Sequence, residues 1–441
     1  MLYPKTWPKL NLRHYLRPWE QIDGWLAAAV MALVLLAGLM IRSTEIQTLM
    51  EKSDWMQQWM SGYGWQHWIT GAVGMTGAIL LARMRYELLM QWKWVLYGIT
   101  NVGLLAVKFF GQTELGATRW INILGFHVQP SEFAKLAVII MLAGLLHERP
   151  ATSLLAMFRA LAIVALPWTL IFLEPNLGTS LVFGAITLGM LYWGNANPGW
   201  ILLMLSPIFS AIGFTLLNQA GKPFLAIWVG WLMALGFVAW RTLPWRRMGA
   251  AIAVTSTMLL NAGASFAAVK LWDILQPYQK QRVTMFINPE QDPSGGGYHL
   301  IQSRIAIGAG RLFGRGLHQG TQTQNSFIPE QHTDFIFTAV GEELGFIGSA
   351  LVLGLFLLIC FRLLVIAQNA KDDFGSLIAI GVFSMILFQT VINIGMTIGL
   401  SPVTGIPLPY LSYGRSALLM NCLALGVVES VANYRRRSIR F

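Results

Sequence analysis

The chain has 441 residues, of which 55% are hydrophobic and 12% charged, with a mean hydropathy of +0.55. Soluble domains carry roughly 25% charged residues, so a water-soluble globule is excluded. The net charge of +11 raises a nucleic-acid partner, which the placement of the basic residues then argues against.

A bilayer-crossing helix needs about 20 mostly apolar residues. Runs of that kind lie near 24–42, 67–83, 93–110, 132–147, 156–173, 178–193, 199–217, 224–240, 249–269, 335–361, 375–398 and 411–432. The pattern predicts an all-α polytopic membrane protein of about 12 transmembrane helices, forming one integral domain over 1–441. The first run follows a polar arm and has no A-x-A-like site, so no cleavable signal peptide is expected. Between the ninth and tenth runs, 273–333 is one long polar loop. Alternate connections hold 18 of the 31 Lys and Arg residues: Lys5 to Arg17, Arg83 to Lys93, Arg149 and Arg159, Arg241 to Arg247, Arg362 and Lys371, and Arg435 to Arg440. The positive-inside rule then places both termini in the cytoplasm and the 273–333 loop outside. The basic excess is a topology signal, and no nucleic-acid partner is expected. Cys360 and Cys422 lie within apolar runs and form neither a disulfide framework nor a metal-ligand spacing. Trp55, Trp59, Trp65, Trp68, Trp92 and Trp94 gather near span ends, as an interfacial belt does.

Polar residues within or beside spans are costly and each needs a reason. In Gln129-Pro130-Ser131-Glu132-Phe133-Ala134-Lys135, proline opens a helix and the two charges three apart share a face. They read either as a self-neutralising pair or as a charged wall toward a polar head group. Arg119, in Gly116-Ala117-Thr118-Arg119-Trp120, adds a cation suited to bidentate phosphate recognition. The segment 174–180 is a tight outer turn. Glu342 and Glu343 lie about two turns below Asp334 and must face protein or water. Asn393 reads as a bond across helices. The proline-rich stretch 402–416 reads as irregular backbone lining a cavity. The pair at 199–240 reads as lipid-facing packing. Asp334 ends the long loop and starts a membrane helix, where it serves either as a helix cap with Thr333 or as a base.

Together the segments 116–120, 129–135, 174–179, 332–337 and 407–416 resemble the SEDS family (shape, elongation, division and sporulation proteins). The loop motifs at 278–283, 288–290, 297–299, 302–303 and 320–324 look most like its RodA-type branch. The resemblance implies a core of about ten spans, here with an extra hairpin at 199–240. It also implies a peptidoglycan glycosyltransferase that polymerises lipid II on the outer face of the bacterial cytoplasmic membrane during elongation. A class B penicillin-binding protein and other elongation-complex membrane proteins are the implied partners. Two departures stand out: Asn176 replaces the acid of the Pro-x-Leu-Gly-Thr turn, and Arg415 replaces a second glycine after Ser-Tyr-Gly.

The expected chemistry is removal of a proton from the acceptor 4-hydroxyl by Asp334 as the pyrophosphate lipid leaves. Arg119 and Lys135, with Arg415 or a divalent cation (Mg or Mn), would supply positive charge; no organic cofactor is expected. Glu132, His332, Gln302, Ser303 and Ser412 complete the expected substrate-binding set. The rivals are a lipid II flippase lined by Glu132/Lys135 and Glu342/Glu343, a non-catalytic scaffold, and an FtsW-like septal polymerase.

Overall fold

The computed structural model describes residues 22–45, 62–114, 117–123, 126–174, 176–220, 224–243, 247–274, 297–325, 327–328 and 330–435. The basic N-terminal arm, Lys52, Trp55, Trp59, Gly116, Pro175, Lys222, Arg246, the loop motifs at 278–283 and 288–290, and Arg436, Arg437 and Arg440 lie outside these residues.

Helices α1 (Gly24–Thr44), α2 (Tyr63–Arg83) and α3 (Glu87–Phe110) open the fold. A small antiparallel meander follows, β1 (Gln112–Glu114), β2 (Ala117–Ile123) and β3 (Phe126–Val128). Then come α4 (Pro130–Glu148), α5 (Leu154–Leu173), α6 (Leu177–Trp193), α7 (Pro198–Ala220), α8 (Phe224–Thr242) and α9 (Arg247–Ile274). The long loop contributes α10 (Tyr298–Gly310) and α11 (Thr321–Gln324), and the chain closes with α12 (Ile336–Glu343), α13 (Gly345–Gln368), α14 (Asp373–Ile398) and α15 (Arg415–Asn433). Six of these, α1, α4, α5, α13, α14 and α15, are long and apolar enough to cross a membrane by length and composition.

Burial sorts the helices. The apolar stretches of α4, α14 and α15 are 78%, 72% and 83% buried, against 33% and 39% for α5 and α13. The first three therefore form the centre, and α5 and α13 turn large apolar faces outward. Lipid tails are as apolar as leucine, so helices in a bilayer associate through close packing rather than hydrophobic drive. The joint between α2 and α15 shows how: a Cβ on Gly426 would stand 2.5 Å from the Ala78 Cα, and one on Gly74 would stand 2.9 Å from the Cys422 Cβ. At the far end of the bundle Arg362 binds the Asp23 carboxylate with Nε at 3.0 and 2.9 Å, and Asp23 N–H donates to Glu429 Oε2 at 2.8 Å. This clasp ties α13, the start of α1 and the end of α15.

Three features depart from the sequence reading. The segment 112–128 forms strands, too short to register beside spans of 20 residues. The run at 335–361 is two helices, because Gly345 takes φ +66 and breaks it after Leu344. The hairpin 199–240 is not simply lipid-facing. Ser210 Oγ donates to Asn261 Oδ1 (2.6 Å), and the Trp231 and Trp228 indoles donate to Ser210 Oγ (2.8 Å) and Ser265 Oγ (3.1 Å). That polar seam, with Asn261 and Ser265 both buried, makes α7, α8 and α9 one three-helix unit.

Candidate active site

Asp334 sits in the turn before α12, partly exposed. The N-cap position of α12 is Phe335, which forms no side-chain cap bond, and Thr333 Oγ1 donates instead to the Glu330 carbonyl and carboxylate, both at 3.1 Å. The cap expected from Thr333 is therefore absent. The backbone around Asp334 is held from two sides. Tyr413 N–H donates to the His332 carbonyl (2.9 Å), and the Asn393 amide donates to the carbonyls of Asp334 (2.9 Å) and Ile406 (2.7 Å). Asn393 thus bonds to loops rather than across helices, and it is fully buried. Gly405 (φ +71) closes the other side: a Cβ there would stand 3.3 Å from Asp334 Oδ2.

The turn before α6 packs behind Gly405. Asn176 caps α6, its Oδ1 accepting from Thr179 N–H at 3.3 Å. A Cβ on Gly178 would stand 2.8 Å from both the Thr404 carbonyl and Ile406. Glu174, at the end of α5, has both carboxyl oxygens buried with no hydrogen-bond partner. Burial raises this carboxyl to about 7 against the opposing pull of Arg119 on β2. Sequence reasoning saw the turn but not this acid; two buried oxygens beside a cation are visible only once α5 and β2 meet.

Glu132 and Lys135 occupy the first turns of α4. They pair with each other at 2.8 Å, their side chains 3% and 1% exposed. Lys135 therefore enters the site as half of a neutral pair, as the first of the two sequence readings had it. The start of α4 is bolted to the start of α15: Gln129 N–H donates to Ser416 Oγ, which donates to the His127 carbonyl, both at 3.1 Å. This brings Arg415 over the Phe126 ring, 5.1 Å from its centroid.

His332 sits in an aromatic cluster, stacked 5.0 Å from Tyr63 and tilted 5.8 Å from Tyr413 between ring centroids. Tyr413 also donates to Gln66 Oε1 at 2.7 Å. Burial lowers the His332 pKa, partly offset by Glu330, which favours a neutral ring. Tyr63 and Gln66 were not foreseen, since they lie in a different span from His332 by some 270 positions of chain.

Ser303, Ser412, Glu342 and Glu343 bond within the fold. Ser303 on α10 is fully buried, shares a 2.6 Å hydrogen bond with Thr338 and donates to the Thr397 carbonyl at 2.7 Å. Its neighbour Gln302 is half-buried. Ser412 accepts the Leu408 N–H at 2.8 Å, fixing the 408–412 turn. Glu342, fully buried, accepts from the N–H groups of Gln322 (2.9 Å) and Thr323 (2.8 Å) and from the Thr323 hydroxyl (2.7 Å), so it anchors α11. Glu343 accepts from Ser43 at 2.6 and 2.7 Å and from Gln324 at 3.1 Å. Among the described residues no group of three or more His, Cys, Asp or Glu side chains forms a metal cage.

The family model described as "Cell cycle protein" (FTSW_RODA_SPOVE) matches residues 24–223 and 226–437. The chain is 35% identical over 366 residues to the peptidoglycan glycosyltransferase MrdB of Escherichia coli, covering 83% of this chain and 84% of that protein. It is 36% identical over 356 residues to the peptidoglycan glycosyltransferase RodA of Treponema pallidum, covering 74% and 80%. Among solved structures, a chain of a peptidoglycan synthase complex that coordinates polymerization and crosslinking superposes with a TM-score of 0.67 at 26% identity, covering 95% of this chain and all of that one. The rod shape determining protein RodA of Thermus thermophilus superposes with a TM-score of 0.59 at 23% identity, covering 95% and 99%, and shares the fold. With nearly its whole length matched, this polytopic membrane protein belongs to the FtsW/RodA/SpoVE family.

Proposed function

We infer that the chain is a peptidoglycan glycosyltransferase of the RodA type, polymerising lipid II during cell elongation, with Asp334 as general base. The family and the named glycosyltransferase relatives support the activity. One observation supports the base. Glu132, Glu342 and Glu343 are all 2% exposed or less and each is engaged by protein donors or a lysine, whereas Asp334 is partly exposed on a backbone fixed from two sides. A base must be reachable and held still.

In this reading the acceptor sugar's 4-hydroxyl gives its proton to Asp334 while its oxygen attacks the anomeric carbon of the donor. The undecaprenyl pyrophosphate then departs with the bonding pair. General-base assistance is worth about 10²–10⁴ in rate. The departing charge needs cations, and Arg119 and Arg415 would supply them. Magnesium and manganese are commonly held by one or two carboxylates plus substrate phosphates, and Asp334 is the carboxylate that would share such an ion, which would supply charge neutralisation at the pyrophosphate. About twelve crossings, cytoplasmic termini and a cytoplasmic-membrane location complete the proposal, with a crosslinking transpeptidase as partner. The polymerase is favoured over the flippase because Glu342 and Glu343 are fastened to α11 and α1, and Glu132 is paired with Lys135.

Asp334→Asn keeps shape and hydrogen-bonding oxygen but removes the base. The purified variant should insert and fold normally yet extend glycan chains at least a hundredfold more slowly, about 10²-fold being the lower limit of base catalysis. Near wild-type polymerisation of lipid II by this variant would remove Asp334 from the chemistry.

A further inference from the structure

The sequence places 273–333 in the aqueous exterior, but its second half is fastened to a membrane helix. The N–H groups of Phe346 and Ile347 donate to the carbonyls of Arg311 (2.9 Å) and Leu312 (3.1 Å), and those of Arg315 and Gly316 donate to Glu342 and Glu343 (both 3.0 Å). The approach is close enough that a Cβ on Gly314 (φ +80) would stand 2.1 Å from the Glu343 carbonyl. Four backbone bonds thus hold 311–316 against the junction of α12 and α13, two of them to the first turn of α13. At about 1.5 Å per residue this 24-residue helix spans roughly 36 Å, against a hydrocarbon core of about 30 Å. Its first turn therefore lies at the outer edge of the bilayer, and the turn bonded to it lies there too.

The surface presented at that level has two components. Leu312, Phe313, Phe346 and Ile347 are 51%, 77%, 66% and 49% exposed. Arg304, Arg311 and Arg315 are exposed in the same 298–318 segment, Arg315 also donating to Thr321 Oγ1 at 2.8 Å, and the sequence from 293 to 329 contains no Asp or Glu. An apolar face rimmed by arginines without acids is the composition of a segment lying in a membrane interface, where each cation near an anionic leaflet surface gains about 1 kcal/mol.

We propose that this surface is a contact for anionic phospholipids of the outer leaflet, so that the 298–318 segment lies on the bilayer with Leu312 and Phe313 inserted and the three arginines on lipid phosphates. The site around Asp334 is then moored at the depth where a lipid-linked substrate presents its head group.

The test uses the full-length protein, with Cys360 and Cys422 replaced by alanine, in vesicles of phosphatidylcholine with or without phosphatidylglycerol. A bimane label on Phe313→Cys, repeated on Leu312→Cys, should be quenched by doxyl-labelled lipid and shielded from iodide. The same label on Gln319→Cys, exposed in the structure, should show the reverse. Retained lipid II polymerisation checks the fold of each variant. Enrichment of phosphatidylglycerol around the protein should fall about fivefold for each of Arg304→Gln, Arg311→Gln and Arg315→Gln, the equivalent of about 1 kcal/mol. Iodide quenching at positions 312 and 313 equal to that at 319 would overturn the proposal. So would unchanged phosphatidylglycerol enrichment, or shielding that arises only when a crosslinking partner protein is added.

Discussion

Replacing Asn393 with leucine tests how Asp334 is held, because the two side chains share one branched heavy-atom skeleton and the hydrogen-bonding amide is lost. Asn393 donates to two carbonyls, Asp334 at 2.9 Å and Ile406 at 2.7 Å, and is completely buried. A buried carbonyl left without a donor costs about 1–3 kcal/mol. The Ile406 carbonyl bears that cost in full and the Asp334 carbonyl in part, since its bond is only part-buried, giving about 2–4 kcal/mol in all. The backbone relieves the cost by moving one or both carbonyls toward water, which displaces the carboxylate. A misplacement of about 1 Å costs on the order of 10² in rate. Asn393→Leu should therefore lower kcat for lipid II polymerisation about a hundredfold with little change in KM, measured on purified protein well below its melting temperature. Asn393→Asp should be no better, since a carboxylate faces two acceptors. A leucine variant with wild-type kcat would show that the two bonds do not position Asp334.

Breaking the Glu132–Lys135 pair from one side strands a buried charge, so Glu132→Gln or Lys135→Met alone should cost about 3–5 kcal/mol of stability. The double substitution should recover most of that, and additive losses in thermal unfolding would refute the coupling. Glu174 supplies a pH signature: its pKa is raised to about 7, so its contribution to stability is complete below the ordinary carboxylate range and is lost as pH rises through about 7. Above that point the carboxylate also competes for Arg119, so KM for lipid II should climb, and Glu174→Gln should flatten the climb. An unchanged KM–pH profile in that variant would dissociate Glu174 from Arg119.

What the sequence made legible was whatever rests on hydrophobic runs or on a local motif. The apolar runs all contain helices, and the turn ending at Asp334 precedes a helix as its polar-to-apolar switch indicates. What it hid depends on contacts between distant segments. The run at 335–361 carries no proline, and its break at Gly345 arises because the following N–H groups bond to Arg311 and Leu312. Ser210 gains its partner only where α9 brings Asn261 to it. For Glu132 and Lys135, spacing alone allowed a pair or a wall, and burial decided for the pair.

The joint between α2 and α15 also dictates a timetable. Gly74 meets Cys422, and Ala78 meets Gly426, so each waits for a partner about 350 residues further along the chain. At roughly 5–20 residues per second the ribosome needs about 20–70 s to make that stretch. Throughout that interval the small-residue face of α2 has only lipid or an insertase against it. The clasp of Asp23 with Glu429 closes in the same final moment. A chain truncated just before Arg415 thus leaves the α15-facing side of α2 without its partner, although every residue proposed to do chemistry except Arg415 has already been made.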